Sequence, residues 1–356
     1  MSVSDAFLSN RSVLNLARRM DCLYNEFKQS GKEYIGMADC LHIWIQVCLF
    51  VLLMIPGWFL GKRGLLSESS SHAMGMLLTN LAMPALVLGK LLECDLKSID
   101  IGALLICALF PFLSSTIGYL LAYWFFPKRK DIPSASSARF CSVFSNCGFL
   151  GIPLAVALFP DNPEVAVYVS VFNVVSTFLL LTLGMSLLSG EVRAWAWKKL
   201  LFTPVTVCLL LGSILLIIDC VPLNTYFASY TSYFAMLTVP LSMLILGYEL
   251  SKLTLRSIFA CTPLYPTTLI KLILLPLISL GCLLVMQEVF GLQIGKGLYI
   301  AIFLATGVSC AASAPAMAAQ QNADASVAAK LTVGTTILCA LTLPLIWMVF
   351  QAIIHL

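Results

Sequence analysis

The chain is poor in charged residues. Only 11% of its 356 residues are Asp, Glu, Lys or Arg, whereas soluble domains carry about 25%. Hydrophobic residues make up 60% of the chain, and the mean hydropathy is +0.96. Such a chain cannot cover a water-facing surface, and its net charge of +4 is too small to indicate nucleic-acid binding. The composition therefore indicates an integral membrane protein.

Common catalytic signatures are also missing. The sequence contains no GxxxxGKS/T, HExxH or GxSxG motif, and His42, His72 and His355 neither cluster nor pair with acids. The 13 cysteines are scattered, mostly in apolar runs. We interpret them as small hydrophobic residues, with a disulfide framework or a metal site as the alternative. We therefore expect a protein that is not an enzyme and has no cofactor or metal.

Ten apolar segments run through the chain. A membrane-spanning helix needs roughly 20 such residues, and lipid leaves backbone groups without partners unless the segment is helical. The short alternating segments of a membrane β-barrel are absent. The sequence therefore predicts an all-α integral membrane protein with ten transmembrane helices. The segments cover residues 41–60, 72–92, 101–126, 138–160, 163–188, 201–222, 226–251, 263–286, 296–319 and 325–353.

Basic residues are concentrated in alternate loops. The loops after even-numbered segments hold only Lys97 and Lys296, with Lys90 near the end of segment 2. Because cytoplasmic loops are enriched in Lys and Arg, we expect the other loops in the cytoplasm. Both termini then lie outside the plasma (inner) membrane. The basic residues after odd-numbered segments are Lys62, Arg63, Lys128, Arg129, Lys130, Arg139, Arg193, Lys198, Lys199, Lys252 and Arg256.

This orientation can be tested at Arg129 and Lys198, which it places in the cytoplasm. Arg129→Cys and Lys198→Cys, in a background without reactive native cysteines, should escape labelling by a membrane-impermeant thiol reagent in intact cells. The reason is the charge asymmetry of the loops. Permeabilised cells provide the control that both cysteines react. Efficient labelling from outside would show that the orientation is wrong.

The ten segments form two groups of five with matching prolines. Pro84 in segment 2 matches Pro240 in segment 7, and Pro153 in segment 4 matches Pro315 in segment 9. An odd number of spans per group means that the two copies cross the membrane in opposite directions. The sequence therefore predicts two inverted five-helix repeats.

Four parts of the chain follow from this repeat. Residues 41–188 form the first repeat, residues 189–200 a short cytoplasmic linker, and residues 201–356 the second repeat. Residues 1–40 mix charges of both signs and form an N-terminal arm. We expect this arm to be either a short amphipathic surface helix or disordered; it does not have the pattern of a secretory signal.

Segment 4 has the composition of a helix that is broken inside the membrane. Residues 145–160, SNCGFLGIPLAVALFP, hold an Asn, two glycines and two prolines. A proline removes a backbone hydrogen bond and clashes with the preceding turn. Lipid tolerates the freed groups only where they are buried in protein or line a cavity. Interrupted helices at matching places in two inverted halves are typical of a transporter site near the membrane midplane.

The motif NCGFLGIPL, residues 146–154, resembles the first crossover of the auxin efflux carrier family in its compact bacterial form. The stretches around Pro84 and Pro240 and the run GTTILCALTLPLI resemble other family signatures, so the similarity extends over about residues 41–353. The resemblance implies that helices 4 and 9 cross at their breaks in a transport domain, with helices 1, 2, 6 and 7 as scaffold. Family members carry organic anions, auxin in plants and dicarboxylates in several bacteria.

Two features depart from the family. The central loop, GEVRAWAWKK, is short, unlike the long loop of the plasma-membrane plant carriers. The second crossover has Ser309 and Ser313 before its proline in place of an Asn. Plant-type recognition of auxin is therefore not expected.

Residues around the two breaks are the candidate substrate-binding residues. The Asn146 amide can donate to a carboxylate without a buried charge, and its alternative role is to cap the half-helix. Gly148, Gly151 and Pro153 are expected to shape the first break, and the glycines could offer backbone N–H groups. Three residues of the second break are also candidates, with packing of small residues as the alternative role. They are Ser309, Ser313 and Pro315.

Lys271 is the remaining candidate, because a cation inside a membrane segment is by default a functional hypothesis. It could attract an anion, and the alternative is that its long side chain reaches the interface. Asn80 and Asn173 fit a site or a contact between helices equally well.

Together these features predict a secondary-active or facilitative carrier of a small organic anion, a mono- or dicarboxylate, that works by elevator-like alternating access. A sodium-coupled symporter of the bile acid type and a membrane ligand sensor without transport are the alternatives. The expected partners are the substrate, the lipid bilayer and a coupling ion, either proton or sodium. A homodimer is the assembly considered, and nucleic acid is not expected.

Overall fold

The computed structural model describes residues 35–94, 100–126, 133–190, 202–218 and 221–354. All regular secondary structure in these ranges is helical. The helices are α1 (Ile35–Lys62), α2 (Glu68–Glu93), α3 (Ile101–Phe125), α4 (Pro133–Val143), α5 (Cys147–Leu158), α6 (Pro163–Ser189), α7 (Pro204–Ile218), α8 (Val221–Ala235), α9 (Thr238–Ser251), α10 (Leu255–Phe259), α11 (Leu264–Phe290), α12 (Lys296–Gly307), α13 (Ala314–Gln320) and α14 (Ala325–Ile354).

Within the described ranges, seven helices are long and apolar enough to cross a membrane. They are α1, α2, α3, α6, α11, α14 and a combined run of α8 and α9. The shorter apolar helices are α5, α7 and α12. Each of the ten predicted segments contains helix, which confirms the class of multi-pass, all-α membrane protein. Arg129, Lys198, most of the arm and most of the linker lie outside the described residues.

Several helices begin at a polar residue whose side chain caps a free backbone N–H group of the first turn. The Ser67 side chain accepts from the Ser70 backbone N–H at the start of α2, and the Asp100 carboxylate accepts from the Gly102 N–H at the start of α3. Asp324 accepts from the Val327 N–H at the start of α14 in the same way. Such caps are important in the membrane and at its surface, because little water is available there to accept from these N–H groups.

Four helices in the described part of the chain contain a π-turn, which widens the helix by about one residue per turn. The π-turns are Leu78–Ala82 in α2, Cys147–Gly151 in α5, Leu180–Gly184 in α6 and Leu269–Leu274 in α11. A proline stands two residues after three of them, namely Pro84, Pro153 and Pro276. The wider turn removes the clash between the proline ring and the preceding carbonyl. These prolines therefore lie in continuous helices, and the chain break in segment 4 comes earlier, at residues 144–146.

Helix packing separates into neighbourhoods. α1 packs along α9, and α2 packs against α7 and α8. α6 packs against α3 and α12, while α14 packs against α4 and α13. These neighbourhoods are also in contact with one another, chiefly where α1 meets α14 and where α2 meets α6.

Two glycines allow α1 and α9 to touch through their backbones. A Cβ atom at Gly57 would overlap the Leu244 carbonyl oxygen, and one at Gly247 would overlap the Met54 carbonyl oxygen. Small residues permit this close approach of membrane helices. The contact is reciprocal, so neither helix can accept a side chain there without moving.

Gly247→Ala is therefore expected to destabilise the protein by about 1–3 kcal/mol, the usual cost of overpacking. Thermal unfolding of the purified protein in detergent measures this as a lower Tm. Gly281→Ala in α11 is the matched control, because a Cβ there meets open space. It should leave the Tm unchanged or raise it slightly, since alanine favours a helix by roughly 0.5–1 kcal/mol over glycine. Equal Tm values for Gly247→Ala and the parent protein would contradict the tight contact.

Candidate functional site

Two chain breaks meet in the interior of the protein. The first break, residues 144–146, separates α4 from α5, and the second break, residues 308–313, separates α12 from α13. The Asn146 N–H donates to the Ser309 carbonyl at 2.8 Å, and the Ala311 N–H donates to the Phe144 carbonyl at 3.0 Å. These bonds form an isolated antiparallel β-bridge between Ser145 and Cys310. The breaks therefore supply backbone partners for one another where lipid supplies none.

Hydroxyl groups of α14 support the second break. The Cys310 N–H donates to Thr335 Oγ1 at 3.2 Å, and Thr336 Oγ1 donates to Ser309 Oγ at 3.0 Å. Thr332 Oγ1 lies 3.4 Å from the Ala311 carbonyl oxygen. One face of α14 thus holds the irregular backbone in a single arrangement.

A cavity of about 320 Å³ opens beside the paired breaks. Its described lining is rich in hydroxyl and amide groups and includes no charged side chain. The polar lining residues are Thr79, Asn80, Ser145, Asn146, Asn173, Thr177, Thr203 and Ser313. The apolar and glycine lining residues are Met83, Gly148, Phe149, Val174, Leu180, Pro204, Val205, Ala311 and Ala312. Such a lining offers many hydrogen-bond donors without a fixed negative charge.

Three of the four described π-turns border this cavity. The turns of α2, α5 and α6 each contribute lining residues, and the fourth turn, in α11, carries Lys271. A π-turn leaves backbone groups out of the regular ladder and often marks a functional position in a helix. The α5 turn approaches its neighbours closely at Gly148, where a Cβ would lie 3.1 Å from Met83 Cε and 3.3 Å from Asn173 Oδ1 and would displace them by a few tenths of an ångström.

Lys271 is fully buried, with 0% of its surface exposed. Its Nζ donates to Ser145 Oγ in the first break. The side chain therefore points inward, and the interpretation that it extends to the membrane interface is wrong. No carboxylate of the described residues lies within 4 Å of its Nζ. A buried charge without a counter-charge is costly. A bound anion would supply the counter-charge that Lys271 lacks among these residues.

Ser145 connects Lys271 to the cavity. An ammonium group can only donate, so the Ser145 oxygen accepts from Lys271. Its own hydroxyl hydrogen then remains to be donated elsewhere. Because Ser145 lines the cavity, the hydroxyl can donate to a bound anion. The positive charge thus acts on the cavity through one polarised hydroxyl group.

Asn146 presents an amide with an unused donor. The residue is 3% exposed, and its Nδ2 atom has no hydrogen-bond partner although it is buried. Its backbone N–H is used in the bridge between the breaks, so only the side chain is left for a ligand. A buried amide without a partner is rare and calls for an explanation. A ligand oxygen in the adjoining cavity would satisfy it.

The model of a family described as "membrane transport protein" matches residues 42–194 and residues 190–347. The chain belongs to this family. The resemblance to the auxin efflux carrier family is thereby confirmed. A protein named an uncharacterized transporter, from Methanothermobacter thermautotrophicus, is 27% identical over 83% of this chain and 94% of its own length. Another from Methanocaldococcus jannaschii is 27% identical over 59% of this chain and 70% of its own length.

Three of the predicted substrate-binding residues of this membrane transporter line the cavity, namely Asn146, Gly148 and Ser313. Lys271 reaches it through Ser145. The other predicted residues serve the surrounding backbone or lie farther away, and their role in binding stays a prediction. Asn80 and Asn173, assigned equally to a site or to helix contacts, both line the cavity.

The other four predicted residues do not line this cavity. A Cβ atom added at Gly151 would make only ordinary contacts, with Cys147 and Val169. Pro153 lies in α5 and lines a separate groove against α8 and α9. The Ser309 hydroxyl accepts from Thr336, and Pro315 is the second residue of α13.

Sequence reasoning missed Ser145 and Thr79 as lining residues. Ser145 directly precedes Asn146 in the quoted motif, and a hydroxyl beside a break was the available signal. Thr79 lies five residues before Pro84, and its hydroxyl donates to the Gly75 carbonyl at 2.9 Å. Without knowledge of the π-turn in α2, its position gives no sign that it faces a cavity.

Proposed function

We propose that this transporter carries a small organic anion, a mono- or dicarboxylate, bound in the cavity beside the paired breaks. The observation that carries the proposal is the buried Lys271 without a carboxylate partner, bonded to the cavity hydroxyl of Ser145. A carboxylate there would accept from Ser145 and from the unused amide of Asn146. The cavity volume, about 320 Å³, lies at the lower end of the roughly 300–1,000 Å³ of small-molecule sites.

The proposed architecture is ten transmembrane helices in two inverted repeats, 41–188 and 201–356, with the linker 189–200 between them. In support, the first break, between α4 and α5, has a counterpart between α12 and α13. The two breaks pair with each other in antiparallel orientation. The family model changes from one match to the next at residues 190–194, near this boundary. Inverted repeats with discontinuous helices at their interface form the substrate sites of many secondary carriers.

The proposed mechanism is alternating access, in which the helices around the breaks move against a scaffold of α1, α2, α7, α8 and α9. The backbone contact of α1 with α9 through Gly57 and Gly247 supports a rigid scaffold. The cavity lies where the two parts meet, since α2 and α7 contribute lining residues alongside both breaks. Movement of the breaks relative to α2 would open the cavity first to one side and then to the other.

The orientation in the plasma membrane, with both termini outside, remains part of this proposal, as does a coupling ion. Uptake by proteoliposomes tests the substrate and the coupling together. Radiolabelled mono- and dicarboxylates are offered with no gradient, with a pH gradient and with a sodium gradient. We expect saturable uptake of at least one carboxylate, and no uptake of an isosteric amide. Uptake of neutral or cationic solutes alone would contradict the proposed anion site.

A further inference from the structure

A second cavity, of about 380 Å³, lies between α3, α4 and α6. It is distinct from the substrate cavity in position and lining. Its wall is polar on the side of α3 and largely apolar on the side of α6. The lining residues are Ser115, Thr116, Tyr119, Arg139, Val143, Phe144, Leu183, Ser186, Leu187 and Gly190.

Arg139 is the charged residue in this lining. Its side chain is 7% exposed, and its Nε has no hydrogen-bond partner although it is buried. One of its terminal nitrogens, Nη1, donates a long bond of 3.4 Å to the Phe126 carbonyl at the end of α3. The guanidinium forms no ion pair within 4 Å among the described residues. Because arginine stays charged in a protein, this cation also lacks a counter-charge within the described ranges.

Hydroxyl groups line the same cavity as the guanidinium. Ser115 and Tyr119 line the cavity, and neither hydroxyl has a hydrogen-bond partner in the described part of the chain. Leu183, which is 43% exposed, and Leu187 form the apolar wall on α6. Leu181, two residues before Leu183 on α6, is also exposed. A cation with nearby hydroxyls at one end and leucines at the other matches a molecule with an anionic head and an apolar chain.

We propose that this cavity binds the anionic head group of a lipid, with its phosphate on Arg139 and an acyl chain along Leu183 and Leu187. A guanidinium recognises a phosphate through several N–H groups at once. The site is independent of the proposed substrate, because no residue lines both cavities.

Thermal unfolding of the purified full-length protein in detergent tests the proposal. The protein is titrated with phosphatidic acid, with phosphatidylcholine and with inorganic phosphate in separate series. We expect phosphatidic acid to raise the Tm in a saturable way and the other two to have little effect. Equal stabilisation by phosphatidylcholine would exclude anion recognition. Equal stabilisation by inorganic phosphate would exclude a role for the apolar wall. Either result would overturn the proposal.

Variants connect the effect to the cavity. Arg139→Gln should weaken phosphatidic acid binding at least about 10-fold, since it removes a charge-assisted hydrogen bond, and Arg139→Lys should weaken it less. Arg256→Gln, at an exposed arginine outside the cavity, is the matched control and should bind like the parent. Leu187→Trp fills part of the cavity while Arg139 is retained, and should also weaken binding. Parent-like affinity in both Arg139→Gln and Leu187→Trp would overturn the proposal, and Leu187→Trp decides it if Arg139→Gln does not fold.

Discussion

Lys271→Met is expected to abolish most of the anion binding and yet leave the empty protein at least as stable as the parent. Removing one partner of a buried charge interaction costs about 2–5 kcal/mol, so affinity for the carboxylate should fall about 30-fold or more. Methionine has a similar length and no charge. Replacing a buried, unpaired cation by an apolar residue is often neutral or stabilising. Lost binding together with retained stability would distinguish a lysine that binds the anion from one that only stabilises the fold.

Two measurements check this result: equilibrium binding of the transported carboxylate, and the Tm without it. Lys296→Met, at an exposed lysine at the start of α12, is the control and should bind normally. A structural role for Lys271 would instead give a strongly lowered Tm with unchanged affinity in the protein that remains folded. That outcome would remove Lys271 from the site.

Asn146→Ala is expected to have the next largest effect. A hydrogen bond to a charged group contributes about 1.5–3 kcal/mol, so loss of the amide donor should weaken carboxylate binding roughly 10- to 150-fold. The backbone bond from the Asn146 N–H to the Ser309 carbonyl is retained in the variant, so the paired breaks should persist. Asn146→Asp should bind more weakly still, because it places a like charge beside the substrate.

Asn162→Ala is the matched control for this pair. Asn162 lies between α5 and α6, and its amide donates to Glu164 at 3.2 Å, away from the cavity. Binding affinity and transport rate are measured for all three variants after a check that each is monodisperse. If Asn146→Ala binds and transports like Asn162→Ala, its free amide has no role in recognition.

The helical part of the fold could be read from the sequence because lipid permits few alternatives. The expected segment 101–126 is α3 (Ile101–Phe125), and the expected segment 163–188 is α6 (Pro163–Ser189). The position of the first break was less accurate, since Pro153 and the glycines pointed to the middle of α5. A π-turn accommodates that proline within the helix. The sequence did not distinguish a π-turn from a break, so Pro153 and the glycines were assigned to the break instead of residues 144–146 alone.

The cavity beside the paired breaks was foreseen only in part, for a similar reason. Asn146 carried a signal because an amide beside broken backbone is unusual in lipid. Lys271 carried one because a cation is unusual there. Their connection through Ser145 depends on a contact between residues 126 positions apart. No periodicity or motif reports a contact of that kind.

A double-mutant cycle on Ser145 and Lys271 tests the central claim most directly. If Lys271 acts on the substrate through the Ser145 hydroxyl, the two residues form one unit, and their effects on binding are not additive. Carboxylate affinity is measured for the parent, Ser145→Ala, Lys271→Met and the double variant. We predict that the double variant binds about as weakly as Lys271→Met alone. Losses that add in full, or a Lys271→Met variant that binds like the parent, would contradict the account.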